Sequence, residues 1–450
     1  MPRTLATGLI TIATLAIGAS WLEAQGQAGA EGRREDLAKF RAEFMARDRA
    51  YTAPARTEAE ARLARLESSI EKVSQAYFDL ELARIVALAD NGHTAAFGAP
   101  RSRRYNRVPV RLVPFGEDFF VLRVDPANED LLSAKLIAID GRPIETLRTL
   151  ARSLAGGTAA FRDRNAGFFF ESPELLYALD AAKAKGAAVY RFAAESGRVI
   201  ERRLAGEPPN PTRDAMNSNH WLYPESVDTT AGRWRPLLPP ARAPWALQEP
   251  GVPFRWREAP ELQAIVVEFR RNYNAPNRSI ADFLKQMTAE IEARRPRNLV
   301  LDMRANGGGD LNTTRDFIKS LPNLVPGRIF VLTSPWTFSA AISSVGYLEQ
   351  ASPDRVSIVG EMAGDRLEFW AEGRVTELPN SGAMVLHATE RHDYKDGCRA
   401  FTDCHGPVVR NPISVPSLAP DIPAPWTIEA YRAGRDPAIE AVATALRQVP

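Results

Sequence analysis

The chain has 450 residues, 45% of them apolar and 25% charged, which suits a soluble globular protein with room for two or three domains. Lys and Arg total 57 against 55 Asp and Glu, a net charge of +2. With the arginines dispersed among acids, that balance argues against a nucleic-acid-binding protein, which shows a basic patch.

The N-terminus reads as a targeting segment, residues 1–30. Arg3 supplies the positive end, Leu5 to Leu22 is uncharged and apolar, and Ala28-Gly29-Ala30 is an A-x-A cleavage site. The competing reading is an uncleaved membrane anchor, which the Gly, Thr and Ser content weakens. A helical cap is expected over 31–100. Leu37, Phe40 and Phe44 fall at helical spacing, as do Leu63, Leu66, Ile70, Val73 and Tyr77, with Pro54 separating two helices. The second helix stops at Asp90-Asn91-Gly92-His93-Thr94, so His93 sits on a turn. A lone histidine is more often structural than catalytic, but this is one of only five.

A β-rich module is expected over 105–206. Val108, Val110 and Leu112 alternate with Pro109 and Arg111, as in a half-buried strand; Phe119–Val124 and Ala134–Ile139 follow, and Asp140-Gly141 is a hairpin signal. Residues 207–252 form a proline- and tryptophan-rich linker in which Trp221, Trp234 and Trp245 imply packing, as a site cover or an interdomain strap.

From residue 253 to 450 the pattern is α/β. Leu262–Phe269 is an entry strand. Ser279 caps a helix whose stripe is Ile280, Phe283, Leu284, Met287 and Ile291, and Pro296 stops it. Three apolar runs, Leu299–Met303, Ile329–Thr333 and Val356–Val359, alternate with helical segments, predicting buried parallel strands. The first ends in Asn306-Gly307-Gly308-Gly309, where missing side chains leave backbone N–H groups approachable. The second runs into Thr337-Phe338-Ser339-Ala340-Ala341, a serine where a helix begins. Both turns lie where open α/β sheets place their sites. Further on come a strand at Ala383–Ala388, a polar loop Arg391–His405 and a helix Pro437–Leu446.

Each motif alone is ambiguous. The glycine run lacks the Gly-Lys-Ser/Thr of a phosphate loop, TFSAA is not a G-x-S-x-G elbow, and the absence of H-E-x-x-H excludes a zincin. Together, DMRANGGG, TFSAA, SIVGE, and Pro420-Asp421 followed by Gly434-Arg435-Asp436-Pro437 resemble the S41 peptidases, the C-terminal-processing and tricorn-core serine proteases. The resemblance implies an α/β, ClpP/crotonase-like protease core with a PDZ-like β module, for which LIAIDGRPIE is the matching string, and the helical cap. It implies Ser339 as nucleophile and, because DNGHT is similar to the DGHT of the tricorn-like branch, His93 as general base. The N–H groups of Gly308 (or Gly307) and Ala340 are the expected oxyanion hole.

The Ser–Lys branch carries a lysine after the VGE string. Here the string is Val359-Gly360-Glu361-Met362-Ala363-Gly364-Asp365-Arg366, without one. A histidine, which takes a proton near neutral pH, fits instead. The glutamate that the Ser–His branch uses near its Pro-Asp motif is missing from Ile413–Ala419, leaving Asp90, Glu361 and Asp365 as candidate orienting acids. Cys398 and Cys404, the only cysteines, read as one local disulfide of an exported protein; the alternative, a metal site with His405 and His392, has no C-x-x-C spacing. No cofactor or metal is expected. The resulting reading is a periplasmic or secreted serine endopeptidase acting on polypeptides, without a membrane span after signal cleavage. The competing readings are an inactive peptide-binding pseudoprotease and an esterase on the same core.

Overall fold

The computed structural model describes residues 29–210, 222–225 and 234–448. Residues 1–28 of the targeting segment and Trp221 lie outside them. Among the described residues no helix is long and apolar enough to cross a membrane.

The cap contains three helices rather than two: α1 (Ala30–Lys39, continuing as a π turn through Met45), α2 (Ala53–Ser68) and α3 (Gln75–Ala87). The apolar stripe runs on through Ile70, which is buried, but Ser74 accepts a hydrogen bond from the Tyr77 N–H and starts a new helix. A capping side chain overrides the periodicity there. Pro54 lies in the first turn of α2 behind the Thr52 cap rather than between helices.

The middle module is an antiparallel meander: β1 (Val110–Phe115), β2 (Asp118–Val124), β3 (Lys135–Ile139), β4 (Ala187–Ala193) and β5 (Val199–Ala205), hydrogen-bonded in that order. Asp140 and Gly141, both at positive φ, make the turn after β3. The alternation expected of β1 fails at Arg111. Its side chain is buried against Glu171 and lies 4.1 Å over the Trp234 ring. From the core domain, Arg255 lies 4.0 Å over the ring of Trp245 in the linker. Both described tryptophans of that segment therefore pack.

The core sheet has the order β13-β10-β9-β8-β7-β6, from β6 (Phe254–Ala259), β7 (Ala264–Phe269), β8 (Asn298–Asp302), β9 (Ile329–Thr333), β10 (Val356–Gly360) and β13 (Ile422–Pro423). Neighbours from β7 to β13 are parallel; β7 to β10 are the strands the apolar runs predict, and the two-residue β13 is one they do not reveal. The edge strand β6 is antiparallel to β7. Its charged residues, Arg255, Arg257 and Glu258, concealed it from an apolar pattern. Helices α4 (Ile280–Arg294), α5 (Asn312–Leu324) and α6 (Ala340–Ala351) pack one face, burying Phe283, Met287, Ile318, Leu321 and Leu348. On the other face α7 (Pro437–Arg447) buries Ala438 and Val442 against Val300, Phe330 and Leu332. Each fully buried aliphatic or aromatic side chain there stabilises by about 1.5–3 kcal/mol.

Between β10 and β13 lies a two-stranded ribbon, β11 (Glu368–Ala371) with β12 (Glu390–Asp393), in which Phe369 is directly opposite His392. The segment Arg391–His405 was expected to be an exposed polar loop. Instead His392 and Asp393 are buried. Pairing with β11 turns His392 onto the Phe369 ring and supplies the burial.

Candidate active site

Three loops meet at the carboxyl ends of β8, β9 and β10. The first is fixed by Asn306, wholly buried, whose amide donates to the Phe269 carbonyl at 2.7 Å and to Asn272 Oδ1 at 2.9 Å. Its Oδ1 accepts the Gly308 N–H at 2.8 Å, and its carbonyl accepts the Phe338 N–H at 3.0 Å. One residue, through side chain and carbonyl together, thereby binds the glycine turn to the serine turn. Thr337 adds a second link, its Oγ1 donating to the Met303 carbonyl at 2.9 Å.

Ser339 is the residue before α6 and holds φ 57°, ψ −128°. That conformation is costly for a side-chain-bearing residue, by about 1–3 kcal/mol, and such strain clusters at reactive positions. The strand-turn-helix geometry has the sharp turn of a nucleophile elbow without the G-x-S-x-G glycines, so here TFSAA rather than that signature marks the serine. Gly308 (φ 95°) lies directly against it: a Cβ there would come 2.5 Å from Ser339 Cβ and 2.9 Å from Ala340 N.

His93 arrives from the cap, 8% exposed, on the turn after α3. Its ring stacks on Phe338 at 4.2 Å on one face and on Phe369 at 5.0 Å on the other. Asp365, from the loop after β10, is buried, and its Oδ2 lies 3.2 Å from His93 Nδ1. His93 Nε2 is buried without a hydrogen-bond partner, and none joins it to Ser339 among the described residues. Gly92 explains part of the DNGHT string: a Cβ there would stand 2.8 Å from Asp365 Oδ2 and 2.9 Å from the Phe338 ring. Asn91 pins the turn to β11 through the Trp370 N–H and carbonyl.

The three candidate acids separate. Asp365 meets the histidine. Asp90 faces outward to Arg162 and Arg366. Glu361 lines a small cavity beside Trp336 and Trp426, and burial pushes its carboxyl up to about 7 against the pull of the Trp426 N–H and Arg304. Ser339, Gly307, Gly308 and Ala340 are together, but the Gly308 N–H is already donated to Asn306.

A pocket of about 620 Å³ opens over these turns, walled by Gly92, Phe161, Arg164, Gly307, Gly308 and Phe338 among others. Arg164 lies 3.8 Å over the Phe161 ring and donates to the Pro335 carbonyl at 2.9 Å. Burial lowers its proton affinity to about 9, with Asp365 opposing, so it remains charged at neutral pH.

The C-terminal motifs act behind the site. Arg304 makes a two-pronged pair with Asp302 and another with Asp436, which also caps α7 through the Ala438 and Ile439 N–H groups. Asp421 accepts the Ile358 N–H at 2.8 Å. Cys398 and Cys404 form the expected disulfide, with Cα atoms 5.9 Å apart.

No family model matches this sequence, and no curated protein matches it. Among solved structures, mature CPAF complexed with lactacystin is similar over 93% of this chain and 98% of its own, with TM-score 0.57 at 12% identity. Mature CPAF alone gives 0.53 at 11%, covering 93% and 97%. The chain has the fold of those structures along almost its whole length.

Proposed function

We propose that this chain is an exported serine peptidase of the S41 type. Ser339 attacks the scissile carbonyl, His93 Nε2 takes its proton and returns it to the leaving amine, and Asp365 holds the ring in the tautomer with Nδ1–H. The observation that carries the reading is His93 itself. One nitrogen is oriented by a buried carboxylate, and the other is unpartnered beside the turn of a strained serine. The hydrogen bond between hydroxyl and imidazole forms when substrate fills the pocket. Ala340 N–H, at the start of α6, is the principal oxyanion donor, and the glycine turn supplies the second. Gly308 N–H serves only if Asn306 releases it, so Gly307 is the better candidate of the pair. The S41 motifs and the shared CPAF fold support the same class. The β1–β5 meander serves as the PDZ-like module, and the disulfide fits an oxidising periplasmic or extracellular location. Arg164 and Arg271 on the pocket wall favour peptides bearing carboxylates.

The test is labelling by a serine-reactive fluorophosphonate together with hydrolysis of a peptide and ester panel. Wild-type protein labels at Ser339 and cleaves peptides, whereas Ser339→Ala and His93→Ala do neither while remaining folded. A folded wild-type chain that neither labels nor cleaves is a peptide-binding pseudoenzyme; turnover of esters alone makes it an esterase.

A further inference from the structure

On the far side of Phe369 from the candidate active site lies a second cluster. His392, opposite Phe369 across the ribbon, stacks on it at 4.8 Å, and His405 stacks on His392 at 5.1 Å. His405 follows Cys404 directly. The disulfide and the His405 N–H bond to the Arg391 carbonyl (2.9 Å) return the loop to the ribbon. Disulfide and histidine pair are therefore not alternatives: the first builds the second.

Both imidazoles aim Nε2 at one carboxylate. Glu372 Oε1 is 3.2 Å from His392 Nε2 and 3.9 Å from His405 Nε2. One ligand atom from each residue lies within 4.8 Å of the others. A tetrahedral zinc site with bonds of about 2.0–2.1 Å separates its donors by roughly 3.3 Å, so a contraction of under about 1.5 Å closes the set. The opposite nitrogens are already fixed. His392 Nδ1 meets the Tyr394 hydroxyl at 2.8 Å, itself 2.6 Å from Ser343 Oγ, and His405 Nδ1 meets Glu390 Oε2 at 2.6 Å. Orienting partners on Nδ1 with Nε2 converging is how proteins prepare histidine ligands. Glu372 is strained as well, at φ 58°. Its side chain is 37% exposed, leaving an entry path and a coordination position open to water.

We propose that Glu372, His392 and His405 bind one divalent transition-metal ion of the zinc type, which fastens the disulfide loop to the ribbon. Nitrogen and carboxylate donors in this number suit Zn²⁺ over Ca²⁺ or Mg²⁺. The proposal does not depend on the peptidase reading, since none of the three ligands is given a part in that reaction.

The test is titration calorimetry of untagged, chelator-dialysed full-length protein with Zn²⁺. Reductant is omitted so that no thiols compete. Wild type is expected to bind one equivalent, and Zn²⁺ to raise the melting temperature. His405→Ala and Glu372→Gln, checked for fold by circular dichroism, should lose affinity at least about 100-fold, and Glu390→Gln, which only orients His405, about 10-fold. Co²⁺ should give visible absorption bands with wild type that His405→Ala lacks. Absence of saturable binding, or equal binding by wild type and folded His405→Ala, overturns the proposal. Should a variant fail to fold, the Co²⁺ spectrum of wild type decides alone: no bands of a histidine-bound site, no site.

Discussion

Phe369 has a histidine on each face. His93 and His392 stack on it at 5.0 and 4.8 Å, nearly parallel to it, yet the two rings are prepared for different work. His93 has a carboxylate behind Nδ1 and no partner at Nε2. His392 has a hydroxyl behind Nδ1 and a carboxylate in front. Packing and residue type are shared, so the difference resides in the polar atoms placed at either end. A ring with one free nitrogen can move a proton; a ring held at both can hold an ion.

The sharpest way to break that comparison is Asp365→Asn. It keeps the shape but favours the wrong tautomer of His93, and turnover should fall about 1,000- to 10,000-fold, while zinc affinity by calorimetry stays at the wild-type value. Equal peptide hydrolysis by Asp365→Asn would remove Asp365 from the mechanism. His405→Ala should do the reverse, losing the ion and sparing kcat.

Arg304→Ala strikes the support beneath both turns. It leaves Asp302 buried, and Asp436 partly buried, without their cation, a loss of about 3–5 kcal/mol by denaturant unfolding. Phe369→Leu tests the shared wall itself. The smaller side chain should destabilise by about 1–2 kcal/mol and lower turnover and zinc affinity together; a change in only one would show that the rings are positioned independently.

The smallest effect concerns Glu361, a carboxylate near the site with too few partners. Burial raises it to about 7 from 4.5. Because the folded value lies above the unfolded one, its stabilising contribution is full below about pH 4.5 and disappears as pH rises through about 7. Glu361→Gln should therefore melt higher than wild type at pH 8, by an amount equivalent to about 1–3 kcal/mol, and melt no higher at pH 4. An unchanged difference across that range would refute the assignment.

The parallel strands, the capping Ser279 and the two special turns were legible because each follows from local chemistry: continuous apolar runs, a hydroxyl before a helix, glycines in series. Ser339 and His93 could be proposed from motif likeness, but the placement of the His93 ring depends on Phe338 and Phe369, whose role no spacing discloses. Asp365 stood among three acids that sequence could not rank, since only tertiary contact separates the one facing His93 from Asp90 at the surface. His392 and His405 could be named only as an alternative to the disulfide, and their partner Glu372 was hidden for a related reason. The ligands are brought together by a strand pairing and a disulfide, and neither leaves a metal-binding spacing in the chain.

The double duty of Asp436 has a temporal consequence. The same carboxylate starts the last helix described and grips the arginine beneath the glycine bend, so that bend receives its brace only after residue 436 has been made. A copy that stops before Asp436 lacks the brace, and its glycine bend should be the less firmly held for it.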